Sequence, residues 1–184
     1  MDEAQFWSII ADSREAALKR RLRPGQDFIE LHEQTLAEEL RQLQPDQIVA
    51  FDDCFWRLHW QAYHWDLWAV AYWLGGGCSD DGFIDFRATL ISLGRQNYEA
   101  ALDDADSLAD LVGRPDVPYM QSEGFQYVAS KAYQEKTGAT EWPRTVHAPR
   151  PLAEPGGERF DFDDDEEMER RFPRVVAAFP DGMD

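Results

Sequence analysis

The stretch from Pro45 to Leu74 decides most of what this chain can become. Apolar residues return at helical intervals on two faces. One reads Ile48, Phe51, Phe55, Leu58, Ala62, Trp65, Ala69 and Tyr72; the other reads Val49, Trp56, Trp60, Tyr63, Leu67, Val70 and Leu74. A helix that is apolar on both faces has to be covered on both, which places it inside a bundle. At about 1.5 Å per residue an unbroken helix of this length would exceed roughly 40 Å, long for one domain, so a bend is expected around Tyr63 to Asp66. Its most apolar part, Ala62 to Leu74, is interrupted by His64 and Asp66. It also falls short of the about twenty residues that cross a bilayer.

The flanking segments read as helices that cover this one. Asp2 and Gln5 have the spacing of a capping pair, opening a helix from Asp2 to Arg21 with Phe6, Ile10, Ala17 and Leu18 inward. After the turn Arg23-Pro24-Gly25, Asp27 and Glu30 repeat the pattern ahead of a stripe of Phe28, Leu31, Thr35, Leu36, Leu40 and Leu43. Pro45 suits a first helical position, with Asp46 at the positive end of the dipole. Gly75-Gly76-Gly77 ends the central helix, and Ser79, Asp80 or Asp81 caps the next, which buries Phe83, Phe86, Leu90 and Ile91. Gly94 marks a stop. Asn97–Leu102 and Asp106–Val112 read as short helices. Ser122 is placed to cap a last one carrying Phe125, Val128, Ala129, Ala132 and Tyr133, closed at Gly138. No segment sustains period-two alternation. The expected fold is therefore all-α: an irregular helical bundle around a long, aromatic-rich central helix, with Trp65 and Phe86 as core residues.

Composition shifts after Gly138. Pro143, Pro149, Pro151 and Pro155 with Gly156-Gly157 form a Pro-rich strap, followed by FDFDDDEEMERRFPRVVAAF. The expected division is a helical core over 1–138 and a strap with an acidic tail over 139–184. In that tail Asp163 to Glu167 starts a short helix that Pro173 breaks. Phe160, Phe162, Phe172, Val175 and Phe179 dock on the core or on a partner.

Thirty-six acids against eighteen bases leave a formal charge of −18. Such a surface repels phosphate backbones and anionic lipid, so neither direct nucleic-acid binding nor a membrane partner is expected. A basic protein partner is. A less favoured reading has the acids imitate the phosphates of a nucleic acid. Cys54 and Cys78 lack the company for a zinc cluster or a disulfide framework and read as reduced thiols of a cytoplasmic protein, and MDEAQFW is no signal peptide. His59 and His64, five apart, lack the same-face spacing of helical zinc sites and read as packed or hydrogen-bonded. No G-x-S-x-G, P-loop or EF-hand pattern occurs, so no cofactor or metal is expected. The oligomeric state stays open.

Chemistry, if any, concentrates in GGGCSDDGFIDFRATLISLGR, residues 75–95. On one helix Asp80, Ile84, Arg87, Ile91 and Arg95 fall along one side, with Asp81 and Asp85 as i, i+4 neighbours. As a site, the aspartates act as bases or hold a hard cation, and Arg87 holds an anionic group. As structure, the same residues are caps, and Arg87 pairs internally with an acid. The aromatics between Trp56 and Trp73 either fill the bundle or line a groove for a planar or cationic ligand. The acidic run Asp161–Glu167 is a helix start or a docking segment for a basic partner.

The order WDLWAVAYWLGGGCSDDGFIDFRATLISLGR, with EGFQYVASKAYQEKTG from Glu123 to Gly138, resembles the bacterial domain of unknown function 4240. The opening DEAQFW and the segment DADSLADL extend the similarity over most of residues 1 to 138. Thr89 stands where relatives often carry Trp. Asp80, Asp81, Phe83, Asp85, Phe86 and Arg87 keep the pattern. The resemblance implies a helical bacterial protein and carries no activity across. It points to Asp80, Asp81, Asp85, Arg87, Glu123 and Tyr127 as candidate ligand-binding residues, to which the helical spacing adds Arg95.

Overall fold

The computed structural model describes residues 1–117, 120, 122–143, 153–180 and 182, and among them the regular structure is helical, with no strand. Helix α1 spans Glu3–Leu18. The Asp2 carboxylate accepts the Gln5 N–H at 2.8 Å, and the Gln5 side chain accepts the Asp2 N–H at 3.1 Å. This reciprocal box satisfies two of the donors that every helix start leaves orphaned. The buried face is Phe6, Trp7, Ile10, Ser13 and Ala17. Leu18 is 56% exposed rather than inward, because it sits one step of about 100° around the helix from Ala17. Helix α2, Phe28–Gln42, starts where Asp27 accepts the Glu30 N–H at 2.8 Å, and it buries the expected stripe together with Ile29 and His32; Leu43, just past its end, is half-buried.

The long central segment is two helices, not one: α3 over Pro45–Gln61 and α4 over Trp65–Leu74. The cause lies far away in sequence. Instead of serving a continuous helix, the carbonyl of Tyr63 accepts the Gly156 N–H and the N–H of Trp65 donates to the Gly156 carbonyl, each at 2.9 Å. His64 caps α4 through its ring, accepting the Asp66 N–H at 3.4 Å. Gly157 has a φ of +83°, and a β-carbon there would strike the His64 ring, so the approach requires glycine. Helix α5, Asp80–Ser92, follows the glycine triplet. Gly76 and Gly77 take positive φ, and Ser79 is the capping residue, accepting the Gly82 N–H at 3.1 Å.

Next come α6, Arg95–Asp103, a 3₁₀ turn over Ala105–Asp110, and a 3₁₀ turn over Phe125–Tyr127 that runs into α7, Val128–Thr137. Ser122 does not cap α7. Its hydroxyl donates to Glu33 at 3.0 Å and its N–H donates to the Thr89 hydroxyl at 3.0 Å. Helix α3 contacts α1, α5 and α7, while α4 contacts α5 and the Ala105–Asp110 turn. Phe6 stacks on Phe51 at 4.6 Å, and the buried Tyr98 hydroxyl donates to the Leu58 carbonyl at 2.7 Å.

Residues 153–180 return to these helices. Helix α8, Asp165–Arg171, is capped by Asp164, and Pro173 opens a further helix, α9, Pro173–Ala178, rather than only ending the one before it. Met168, Phe172 and Val175 are buried in the main apolar cluster. Asp106, buried in its 3₁₀ turn, accepts the N–H groups of Arg174 at 3.0 Å and Val175 at 2.8 Å, and so satisfies free donors in the first turn of α9. Pro149 and Pro151 of the expected strap lie outside the described residues.

Phe86 is fully buried, so Phe86→Ala should cost about 3–5 kcal/mol in denaturant unfolding. Trp65 is half-buried, against expectation, because the face of α4 that carries it meets residues 159–162. Trp65→Ala should therefore cost less than the Phe86 substitution in the same measurement.

Three buried titratable groups contribute to the pH dependence with opposite signs. Burial, aided by Arg14 and Arg87 respectively, lowers His32 and His59 to about 3. Burial and the neighbouring Asp53 raise Asp52 to about 7. The histidines fold neutral. Their contribution is complete above the unfolded value near 6.5 and is lost as pH falls toward 3. Asp52 folds protonated, so its contribution is complete below the unfolded value near 3.8 and is lost as pH rises toward 7. Between about pH 4 and 6.5 the signs oppose. Asp52→Asn should steepen the acid loss of unfolding free energy by up to about 1.4 kcal/mol per pH unit.

Candidate functional site

Helix α5 places Asp81 and Asp85 one turn apart with Ile84 beside them, and the segment Glu123–Tyr127 faces that side. Two sets of hydrogen bonds hold the segments together. The Thr89 hydroxyl donates to the Asp85 carbonyl at 3.0 Å while accepting the Ser122 N–H, and the Gln126 amide donates to the Asp85 carboxylate at 2.9 Å. Between them lies a hollow of about 400 Å³ lined by Asp81, Ile84, Asp85, Glu123, Gln126 and Tyr127. Tyr127 is 44% exposed, and the Lys131 ammonium of α7 lies over its ring at 5.8 Å.

Three carboxylates thus line one hollow, Asp85 half-buried and Asp81 and Glu123 exposed. Burial first, then the charges of Glu123 and Asp81, raise the Asp85 carboxyl above the ordinary carboxylate range. The arrangement favours a positive charge arriving from outside, which relieves the repulsion and supplies donors to acceptor-only oxygens.

The structure brings together Asp81, Asp85, Glu123 and Tyr127 of the candidate residues and leaves out the rest. Asp80 is exposed on the first turn of α5 and does not line the hollow. Arg87 is 2% exposed. Its guanidinium donates to the carbonyls of Phe83 at 3.2 Å and His59 at 3.1 Å, beneath the rings of Tyr63, Phe83 and Trp60 at 4.8, 4.8 and 5.3 Å. Burial lowers its pKa to about 10, which leaves it charged at neutral pH. It serves neither as an anchor for an anionic ligand nor, among the described residues, as the partner of an acid. Carbonyl dipoles and ring faces take the acid's place. Arg95 is not on the α5 side at all. Leu93-Gly94 ends that helix, and Arg95 opens α6, exposed and paired with Glu99 at 2.7 Å. Sequence reasoning missed Ile84 and Gln126 as lining residues. The i, i+3 step from Glu123 to Gln126 was visible, but what it faces was not.

A second hollow, about 320 Å³, is lined by residues that include His64, Asp66, Asp103, Asp104, Arg170 and Arg171. Here the charges answer one another: Arg171 reaches Asp66, Glu158 and Glu167, and Arg170 reaches Glu167. Among the described residues no three His, Cys, Asp or Glu side chains are grouped to hold a metal ion. Among the described residues no helix is long and apolar enough to cross a membrane.

Fold and hollow together define an acidic, all-helical protein with a hollow lined by three carboxylates and no basic residue. The family model described as protein of unknown function (DUF4240) matches residues 1–135, and the chain belongs to that family. Curated proteins and solved structures yield no match.

Removing one of the like charges should relax the Asp85 carboxyl. In an NMR titration of Glu123→Gln its pKa should fall toward the ordinary value, and an unchanged value would show that the two carboxylates do not share the hollow.

Proposed function

We propose that this protein is a non-catalytic binding module for a basic protein partner, with the Asp81–Asp85–Glu123 hollow receiving a lysine side chain. The hollow carries the reading: three carboxylates, an amide and a phenol line it, with no basic residue among the lining six. A compact ammonium with three rotatable donors suits three acceptor-only carboxylates around a small hollow better than a planar group does. The surrounding charge supports it. Many of the chain's own bases are engaged with its own acids, as in Arg14–Asp116, Arg20–Glu38, Arg41–Glu135, Arg57–Glu3 and Arg95–Glu99. The excess of acids over bases therefore faces outward and steers cations toward the surface. The reading as an enzyme or small-molecule site keeps Asp81 and Asp85 beside a hollow but loses Arg87 as the holder of an anionic group, since Arg87 is sealed under aromatic rings.

The test is the affinity of a fluorescent octalysine peptide at about 50 and 500 mM salt. Wild type should bind at low salt and release at high salt. Asp81→Asn/Asp85→Asn/Glu123→Gln should weaken low-salt binding about tenfold, equivalent to about 1.4 kcal/mol. A variant neutralising three exposed acids elsewhere, Asp12→Asn/Glu39→Gln/Glu154→Gln, should weaken it far less. Equal losses in the two variants, or no binding by wild type at low salt, would contradict the reading.

A further inference from the structure

The exposed side of α4 carries a second surface that the hollow does not use. Two depressions of about 300 and 480 Å³ share Tyr72, Phe162 and Asp163. Their walls are aromatic and their rim is acidic. Phe162 stands 6.0 Å from Trp65 and 5.5 Å from Tyr72, ring to ring, at interplanar angles of 63° and 55°, and Trp65 stacks on Trp68 at 5.5 Å. The Tyr72 hydroxyl donates to Asp163 at 2.7 Å, and the Asp163 N–H donates to Asp161 at 3.1 Å, so both carboxylates are held at the edge.

These rings already receive guanidinium groups from the chain itself. Arg159 lies over the Trp65 ring at 5.2 Å, and Arg171 lies over Phe160 at 4.3 Å. The two differ in what else holds them. Arg171 is tied to Glu158 at 2.7 Å and Glu167 at 2.6 Å, whereas Arg159 is exposed and makes no ion pair among the described residues. A guanidinium held mainly by one ring face is displaceable. An incoming one would find the same ring together with the Asp161 and Asp163 carboxylates, and aromatic face plus planar fork is a combination arginine satisfies and lysine does not.

We propose that this groove receives an arginine side chain of a basic partner, and that Arg159 is the chain's own occupant of the Trp65 position, displaced on binding. The proposal rests on the reading that the partner is cationic, but it uses a different surface and can fail or stand apart from the hollow.

The experiment titrates full-length protein with octa-arginine and, separately, octalysine peptides, read by tryptophan fluorescence and by peptide anisotropy. Arg159→Ala, an exposed substitution, should raise octa-arginine affinity about two- to fivefold, the range expected for an exposed cation–π contact. It should leave octalysine affinity within the change produced by Arg23→Ala, which removes the same charge from the α1–α2 turn. Adding Asp161→Asn to Arg159→Ala should reverse part of the gain. Equal shifts in Arg159→Ala and Arg23→Ala, equal gains for the two peptides, or no gain at all would overturn the proposal. In the Asp81→Asn/Asp85→Asn/Glu123→Gln background the effect of Arg159→Ala should persist. Its persistence alongside unchanged octalysine binding would refute the hollow and keep the groove, whereas its absence in every background alongside lost octalysine binding would do the reverse.

Discussion

Two backbone hydrogen bonds, from Gly156 to Tyr63 and from Trp65 to Gly156, are the constraint on which the arrangement of this protein depends. An apolar segment of this length would otherwise continue as one helix, with its backbone groups satisfied internally. Diverting the Tyr63 carbonyl and the Trp65 N–H to a distant glycine breaks the rod into α3 and α4. The break sets the direction of α4 and lets α3 and α4 pack against different neighbours. It also lays residues 159–162 along the side of α4 that carries Trp65 and Tyr72. The close seat of Gly156 and Gly157 on the His64 ring makes this a specific junction between the family-matched part of the chain and the segment beyond it.

Charge is organised on the same plan. Interior cations and acids are neutralised by geometry: Arg87 by carbonyls and rings, Asp106 by the N–H groups of α9, and Arg14 by Asp116. Outside, acids outnumber bases two to one over the whole chain. Two surfaces follow from that excess, and they differ in shape. The hollow between α5 and the Glu123–Tyr127 turn is lined by three carboxylates and, as proposed, receives a point charge. The groove beside α4 presents ring faces suited to a planar one. A basic partner carrying both lysine and arginine would engage them by different chemistry.

Much of this was legible in the sequence because it is local. The Asp2–Gln5 box, the Asp27 and Ser79 caps, Pro45 at a helix start and the stripe of Phe83, Phe86, Leu90 and Ile91 depend on residues within a turn or two of one another. What escaped depends on partners far along the chain. The bend around Tyr63 to Asp66 was expected from helix length alone, but the clamp that makes it requires Gly156; the role of Ser122 requires Glu33 and Thr89, and the buried state of Asp106 involves Val175. Arg87 was misjudged in both readings, since neither an anion nor an acid satisfies it and ring faces leave no mark in spacing alone. Of the candidate site, Asp81 and Asp85 followed from helical geometry and Glu123 and Tyr127 from the family resemblance. Gln126 became visible only once the two segments were seen facing each other.

The most direct test of this account is amide hydrogen exchange at Trp65 and Gly156, measured by NMR on the full-length protein. If the exchanged pair of hydrogen bonds holds the break, both amides should be protected with free energies close to those of core amides such as Phe86, and should open together. Exchange of both at the rate of an unstructured chain, with α3 and α4 still protected, would show that the helix breaks without that clamp, and the architecture built on it would not stand.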